Sequence, residues 1–70
     1  MAVAKVIEIV SSSEKSFDDA VHQGLAEAGK TLHGISGLEI KSWTADVENN
    51  QAVRYKVTMH LAFKVEHAAP

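Results

Sequence analysis

The side chains in this sequence that could bind, ligate or react are few and scattered. Four histidines stand at positions 22, 33, 60 and 67 with no compact ligand spacing between them. There is no cysteine, which removes thiolate zinc sites and disulfides together. Ser11-Ser12-Ser13 offers three hydroxyls without an evident base; such runs serve turns and caps far more often than nucleophilic attack. Asp18 and Asp19, and then Asp46 and Glu48 beside Asn49-Asn50, lack the spacing of a calcium loop. The second group reads as a solvated hairpin tip that could hold a hard cation only weakly. No nucleophile elbow, glycine-rich phosphate loop or His-Glu-x-x-His motif is present, so catalysis is not expected. The groups left are suited to holding a ligand: Lys41 and Lys56 as cations, Trp43 as a flat aromatic, and His60 as a hydrogen-bonding ring.

These residues are positioned by a strand, a helix and two further strands. Val3 to Val10 reads as the first strand, rich in valine and isoleucine, and the serine run is expected to break it. Ser16 with Asp19 three residues on resembles a capping box. Asp18 and Asp19 place negative charge at the positive end of a helix. Phe17, Val21, Leu25, Ala28 and Leu32 then repeat at helical spacing, which predicts about four turns ending near His33-Gly34. Gly34 suits the left-handed position beyond the helix. Gly24 and Gly29 lie inside it at a cost of roughly 1 kcal/mol each, and Gly24 reads as a point of close helix–sheet contact. Gly37 to about Val47 is the second strand, Asn49-Asn50 the turn, and Ala52 to Val65 the third strand. Residues 1–70 are expected to form one domain, with 66–70 a frayed tail.

Side-chain alternation assigns the faces. In the third strand Val53, Tyr55, Val57, Met59, Leu61, Phe63 and Val65 share one side, and Arg54, Lys56, Thr58, His60, Ala62 and Lys64 the other. In the second strand Leu38 and Ile40 suit the helix side. Gly37, Glu39, Lys41 and Trp43 are expected on the opposite face, beside Lys56 and His60. A tryptophan there would anchor an interface or stack on a flat ligand. The third strand spans roughly 43 Å, longer than its neighbours are expected to pair, so its end should reach another subunit.

Seventy residues bury a modest core. Without disulfides or a structural metal, self-association is the remaining source of stability. A formal charge of −2 gives no basic stripe for nucleic acid, no apolar run is long enough to cross a bilayer, and the first residues lack a signal-peptide layout. A cytoplasmic location is therefore expected.

The order of elements resembles the dodecin family. Lys5-Val6-Ile7-Glu8-Ile9-Val10 is similar to the family's opening strand, and Ser13-Glu14-Lys15-Ser16-Phe17 to its entry into the helix. Ala26 to Leu32 resembles the second half of that helix, and Tyr55 to Val65 the closing strand. The resemblance implies an α+β fold, β-α-β-β, in which a three-stranded antiparallel sheet partly wraps one helix and twelve copies form a hollow homododecamer. It also implies storage or sequestration of a flavin, FMN or riboflavin, with coenzyme A or calcium as alternatives. The family's flavin-stacking tryptophan matches Gly37 here, and its flavin-bonding glutamine matches Lys56. On that footing the candidate cofactor-binding residues are Gly37, Lys41, Trp43, Lys56 and His60, with no metal ligands. The alternative is a shell that binds no flavin and holds a metal ion or another small ligand, or is purely structural.

Overall fold

A computed structural model describes residues 3–65. The expected tail at 66–70 lies outside them. The elements are β1 (Val3–Ser13), α1 (Phe17–Gly29), β2 (Ile35–Glu48) and β3 (Gln51–Val65). They form an antiparallel sheet in the order β1-β3-β2, the β-α-β-β arrangement expected from the sequence.

Two boundaries differ from expectation. The serines at 11, 12 and 13 do not end β1; they pair with Val57, Lys56 and Tyr55 of β3. The ladder satisfies their backbone groups, and Ser16 does the capping, accepting the Asp19 N–H at 2.9 Å. The helix also stops at Gly29 rather than near His33. Thr31 donates to the Ala28 carbonyl at 3.2 Å and Lys30 to that of Glu27 at 3.2 Å. These shorter-range bonds tighten the last turn and let the chain leave the axis. Gly34, at φ 76°, then supplies the expected left-handed residue.

β3 does not outrun its neighbours as expected. β1 pairs with it from Tyr55 to Val65 and β2 from Gln51 to Phe63, so each stops short at one end but together they cover its whole length. Asn49 and Asn50, at φ 53° and 63°, make the two-residue turn between β2 and β3. The resulting molecule is an elongated ribbon, 60 × 20 × 13 Å.

The helix packs on β1 and β3 and barely reaches β2. Ala20, Val57, Met59 and Leu61 are fully buried, with Ile9, Phe17, Val21 and Ile40 packed around the centre of that group. Val6, Val10, Leu38, Trp43 and Val47 stay exposed. Such a small core with so much apolar surface left open is the condition in which a chain gains by association.

The two helix glycines separate cleanly. A Cβ on Gly24 would lie 2.7 Å from Met59 Cε and 2.8 Å from Ser11 Cβ, so the helix touches the sheet there, as read from the sequence. A Cβ on Gly29 would meet nothing within 4 Å. Gly24→Ala is therefore expected to cost about 1–3 kcal/mol, overcrowding outweighing the gain in helix propensity. Gly29→Ala should gain roughly 0.5–1 kcal/mol. Urea melts of the two variants should move in opposite directions, and a stabilised Gly24→Ala protein would show that the helix can lift off the sheet without loss.

Candidate functional site

β3 is the central strand, and its alternation places Arg54, Lys56, Thr58, His60 and Ala62 on the sheet face away from the helix. β1 and β2 add residues to the same rows. Val6, Ala62 and Gly37 lie side by side, followed by Glu8, His60 and Glu39, then Val10, Thr58 and Ser42, then Ser12, Lys56 and Thr44.

His60 sits between two carboxylates. Its Nε2 is 2.8 Å from Glu8 Oε1, and its Nδ1 is 3.7 Å from Glu39 Oε1. The row ties three strands together through one ring. The two nitrogens face opposite ways, so the three residues do not converge on a common point, and no group of metal-holding side chains occurs among the described residues. Beside them, Gly37 leaves a hollow of about 200 Å³ lined by Val6, Leu38, Glu39, His60 and Ala62. A Cβ at Gly37 would make only ordinary contact, 3.7 Å from Ala62 Cβ.

Further along the same face, Lys56 Nζ lies 3.3 Å and Arg54 Nη1 3.6 Å from one oxygen, Asp46 Oδ2. The acidic hairpin tip is therefore tied to β3. Gly37 pairs with Ala62, six residues along β3 from Lys56, so the two matched positions are about 20 Å apart. One small ligand cannot touch both within a single chain.

Two of the expected site residues lie elsewhere. The β2–β3 register slips between Ile40 and Ser42, which makes Lys41 a bulge residue with no partner of its own on β3. One extra residue reverses every later side chain. Trp43 therefore pairs with Val57 and turns to the helix side, not to the face that carries Lys56 and His60. There its ring meets Phe17 edge-on at 5.3 Å, and Phe17 meets Tyr55 at 5.0 Å. Phe63 shares that side by alternation on β3. All the aromatic residues, one Trp, one Tyr and two Phe, thus belong to the helix side of the sheet. The face opposite carries no Trp, Tyr or Phe ring; its one aromatic ring is the His60 imidazole, held between Glu8 and Glu39. No sequence signal marked the bulge.

A second polar cluster gathers where β1 enters α1. The Ser13 hydroxyl donates to Asp19 Oδ2 at 2.5 Å, Gln23 Nε2 donates to the same oxygen at 2.7 Å, and Ser13 Oγ accepts the Lys15 N–H at 2.9 Å. The Ser13 hydrogen bond is the main cause holding the Asp19 carboxyl below its ordinary range; partial desolvation opposes it, and Gln23, Lys15 and His22 add to the lowering. A carboxyl lowered in the folded state stabilises it above the unfolded pKa of about 3.9, and that contribution is lost as pH falls through the folded value. Ser13→Ala should move the Asp19 titration upward, read from its side-chain carbon by NMR. An unmoved titration would mean the hydroxyl does not hold the charge.

Comparison with known proteins places these features in context. A family model described as Dodecin matches residues 3–66. The dodecin of Thermus thermophilus is 30% identical over 64 residues, covering 91% of this chain and 93% of that protein. The crystal structure of a Thermus thermophilus protein superposes with a TM-score of 0.91 at 28% identity, covering 97% of this chain and 100% of the other. Dodecin from Streptomyces coelicolor gives 0.89 at 25% identity, covering 96% of each chain. The calcium dodecin of Mycobacterium tuberculosis, a calcium-chelating antigen, shares the fold with a TM-score of 0.79 at 22% identity, covering 97% of each chain.

Proposed function

This chain belongs to the dodecin family, and from that premise we propose that it builds a homododecameric shell which sequesters a small ligand without catalysing a reaction and without stacking a flavin. The observation that carries this reading is the bare sheet face. The aromatic residues lie on the helix side, Gly37 stands where the resemblance places the stacking tryptophan, and a cation stands at 56 in place of an amide. A glycine has no π-face to offer, and a lysine ammonium donates hydrogen bonds but accepts none.

Self-association is supported by physical need as well as by family. The helix leaves much of β2 uncovered, and valines at 6, 10 and 47 are open to solvent. Burying such surface is favourable at about 25 cal/mol per Å². The absence of catalysis is supported by the chemistry of the exposed face. Its histidine is spent between two glutamates, and its two cations are spent on Asp46. Calcium, the ion named for the Mycobacterium relative, would need oxygen ligands converging on one point, and the carboxylates of this face instead pair with His60, Arg54 and Lys56.

The test is a native mass measurement with a riboflavin titration of the same sample. An assembly of twelve copies that leaves riboflavin fluorescence unchanged is expected. Stoichiometric quenching would overturn the non-stacking half of the reading, and a stable single chain would overturn the shell.

A further inference from the structure

We propose, resting on the binding-shell reading above, that His60 and Glu39 form a site for a divalent transition-metal ion of the zinc type, with Glu8 fixing the ring from its other side. The geometry around the ring carries this. His60 Nε2 is hydrogen-bonded to Glu8 Oε1 at 2.8 Å, and an ionised carboxylate only accepts. The proton of the neutral ring is therefore on Nε2, and the lone pair is on Nδ1. Nδ1 faces Glu39 Oε1 at 3.7 Å, beyond hydrogen-bond reach. Two electron-pair donors thus face each other across a gap that no hydrogen bond fills. Zinc binds nitrogen and oxygen at about 2.0–2.2 Å each, so donors about 3.4 Å apart make a tetrahedral angle at the ion. Closing the observed gap takes a shift of about a few tenths of an ångström, and the Glu39 side chain, 67% exposed, is free to make it.

The surroundings suit a cation and leave room for it. A ring whose far N–H is held by a carboxylate is the usual form of a metal-binding histidine. Here that carboxylate, Glu8, comes from β1, the imidazole from β3 and the second ligand from β2. Glu8 takes no part in the coordination itself. The row carries two carboxylates and no lysine or arginine, and the rows on either side, Val6-Ala62-Gly37 and Val10-Thr58-Ser42, carry no charge. The hollow of about 200 Å³ beside the row is lined by both proposed ligands and not by Glu8, so the open space lies on the Nδ1 side. Gly37, with no side chain, leaves it open, and it has room for the waters that complete the ion's coordination. An imidazole nitrogen suits zinc, whereas calcium takes six to eight oxygens and gains little from one carboxylate.

Calorimetric titration of the assembled, untagged protein with zinc chloride, and with calcium chloride as competitor, tests the site. One zinc ion per chain is expected, undisturbed by calcium in large excess. His60→Ala should abolish it and Glu39→Gln should weaken it about tenfold or more. Glu8→Gln should weaken it about 10–100-fold at unchanged stoichiometry, the effect of losing the group that orients a ligand. Long-range proton–nitrogen NMR of His60 should show zinc on Nδ1 and the proton on Nε2. Zinc uptake unaffected by His60→Ala, a metal ion on Nε2, or displacement by calcium would each overturn the proposal. Should His60→Ala not fold, unchanged affinity in Glu39→Gln does the same. The native mass of the same samples separates the two readings. An assembly of twelve copies that takes up no zinc loses the site and keeps the shell, whereas a single chain that takes up one zinc keeps the site and loses the shell.

Discussion

Gly37→Trp combined with Lys56→Gln is expected to raise the riboflavin affinity of this protein at least tenfold. The substitution at 37 is sterically open: its Cβ meets only Ala62 Cβ, at ordinary contact distance, and the indole would rise over the hollow between Val6 and Glu39. Base-type stacking on an aromatic ring contributes about 1–3 kcal/mol, and each 1.4 kcal/mol is a factor of ten. The amide at 56 adds the donor–acceptor pair that lysine lacks. Because the two positions are about 20 Å apart along the sheet, they can act on one ligand only when contributed by different copies. The gain should therefore appear in the assembly and vanish on dissociation. Fluorescence quenching at least tenfold stronger than for the parent is the expected reading. If the assembled double variant still ignores riboflavin, the positions have been matched wrongly, or their face is not where a ligand enters.

The second large effect lies in the core. Met59→Ala should destabilise the protein by about 3 kcal/mol, within the 2–5 kcal/mol range for truncating a buried methionine. Met59 is fully buried and central to the cluster of Ala20, Val57, Ile9, Phe17, Val21 and Ile40. A chain of this size has few other apolar groups to absorb the loss. The same truncation should soften the penalty of Gly24→Ala, since Met59 Cε is the nearest atom to the added methyl. Relief should be partial, because Ser11 Cβ remains 2.8 Å away. Urea denaturation of both single variants and the double variant, all at one protein concentration, reads the coupling. Strictly additive penalties would mean that the helix and Met59 do not press on each other. A loss below about 1 kcal/mol for Met59→Ala would mean that the core lies elsewhere.

The open surfaces follow from the same economy of core. The helix covers β1 and β3 while the β2–β3 hairpin runs on without it, so the apolar rows the chain cannot cover itself remain available to copies. No helix among the described residues is long and apolar enough to cross a membrane.

The sequence by itself determined the order of elements, the buried row Val57, Met59 and Leu61, the Ser16 cap, the Asn49-Asn50 turn and the tight contact at Gly24. Each depends on a local rule: alternation in a strand, hydrogen bonding at a helix end, backbone freedom in a turn, or a missing side chain. Only the tertiary structure decided that β1 continues through Ser13, that the helix ends at Gly29, and that Trp43 turns toward Phe17. It also decided that Arg54 and Lys56 share Asp46. These outcomes depend on which residue of β3 each neighbour closes against. A single extra residue at Lys41 reverses the face of all that follows it, and nothing in the composition of β2 announces where a ladder will slip.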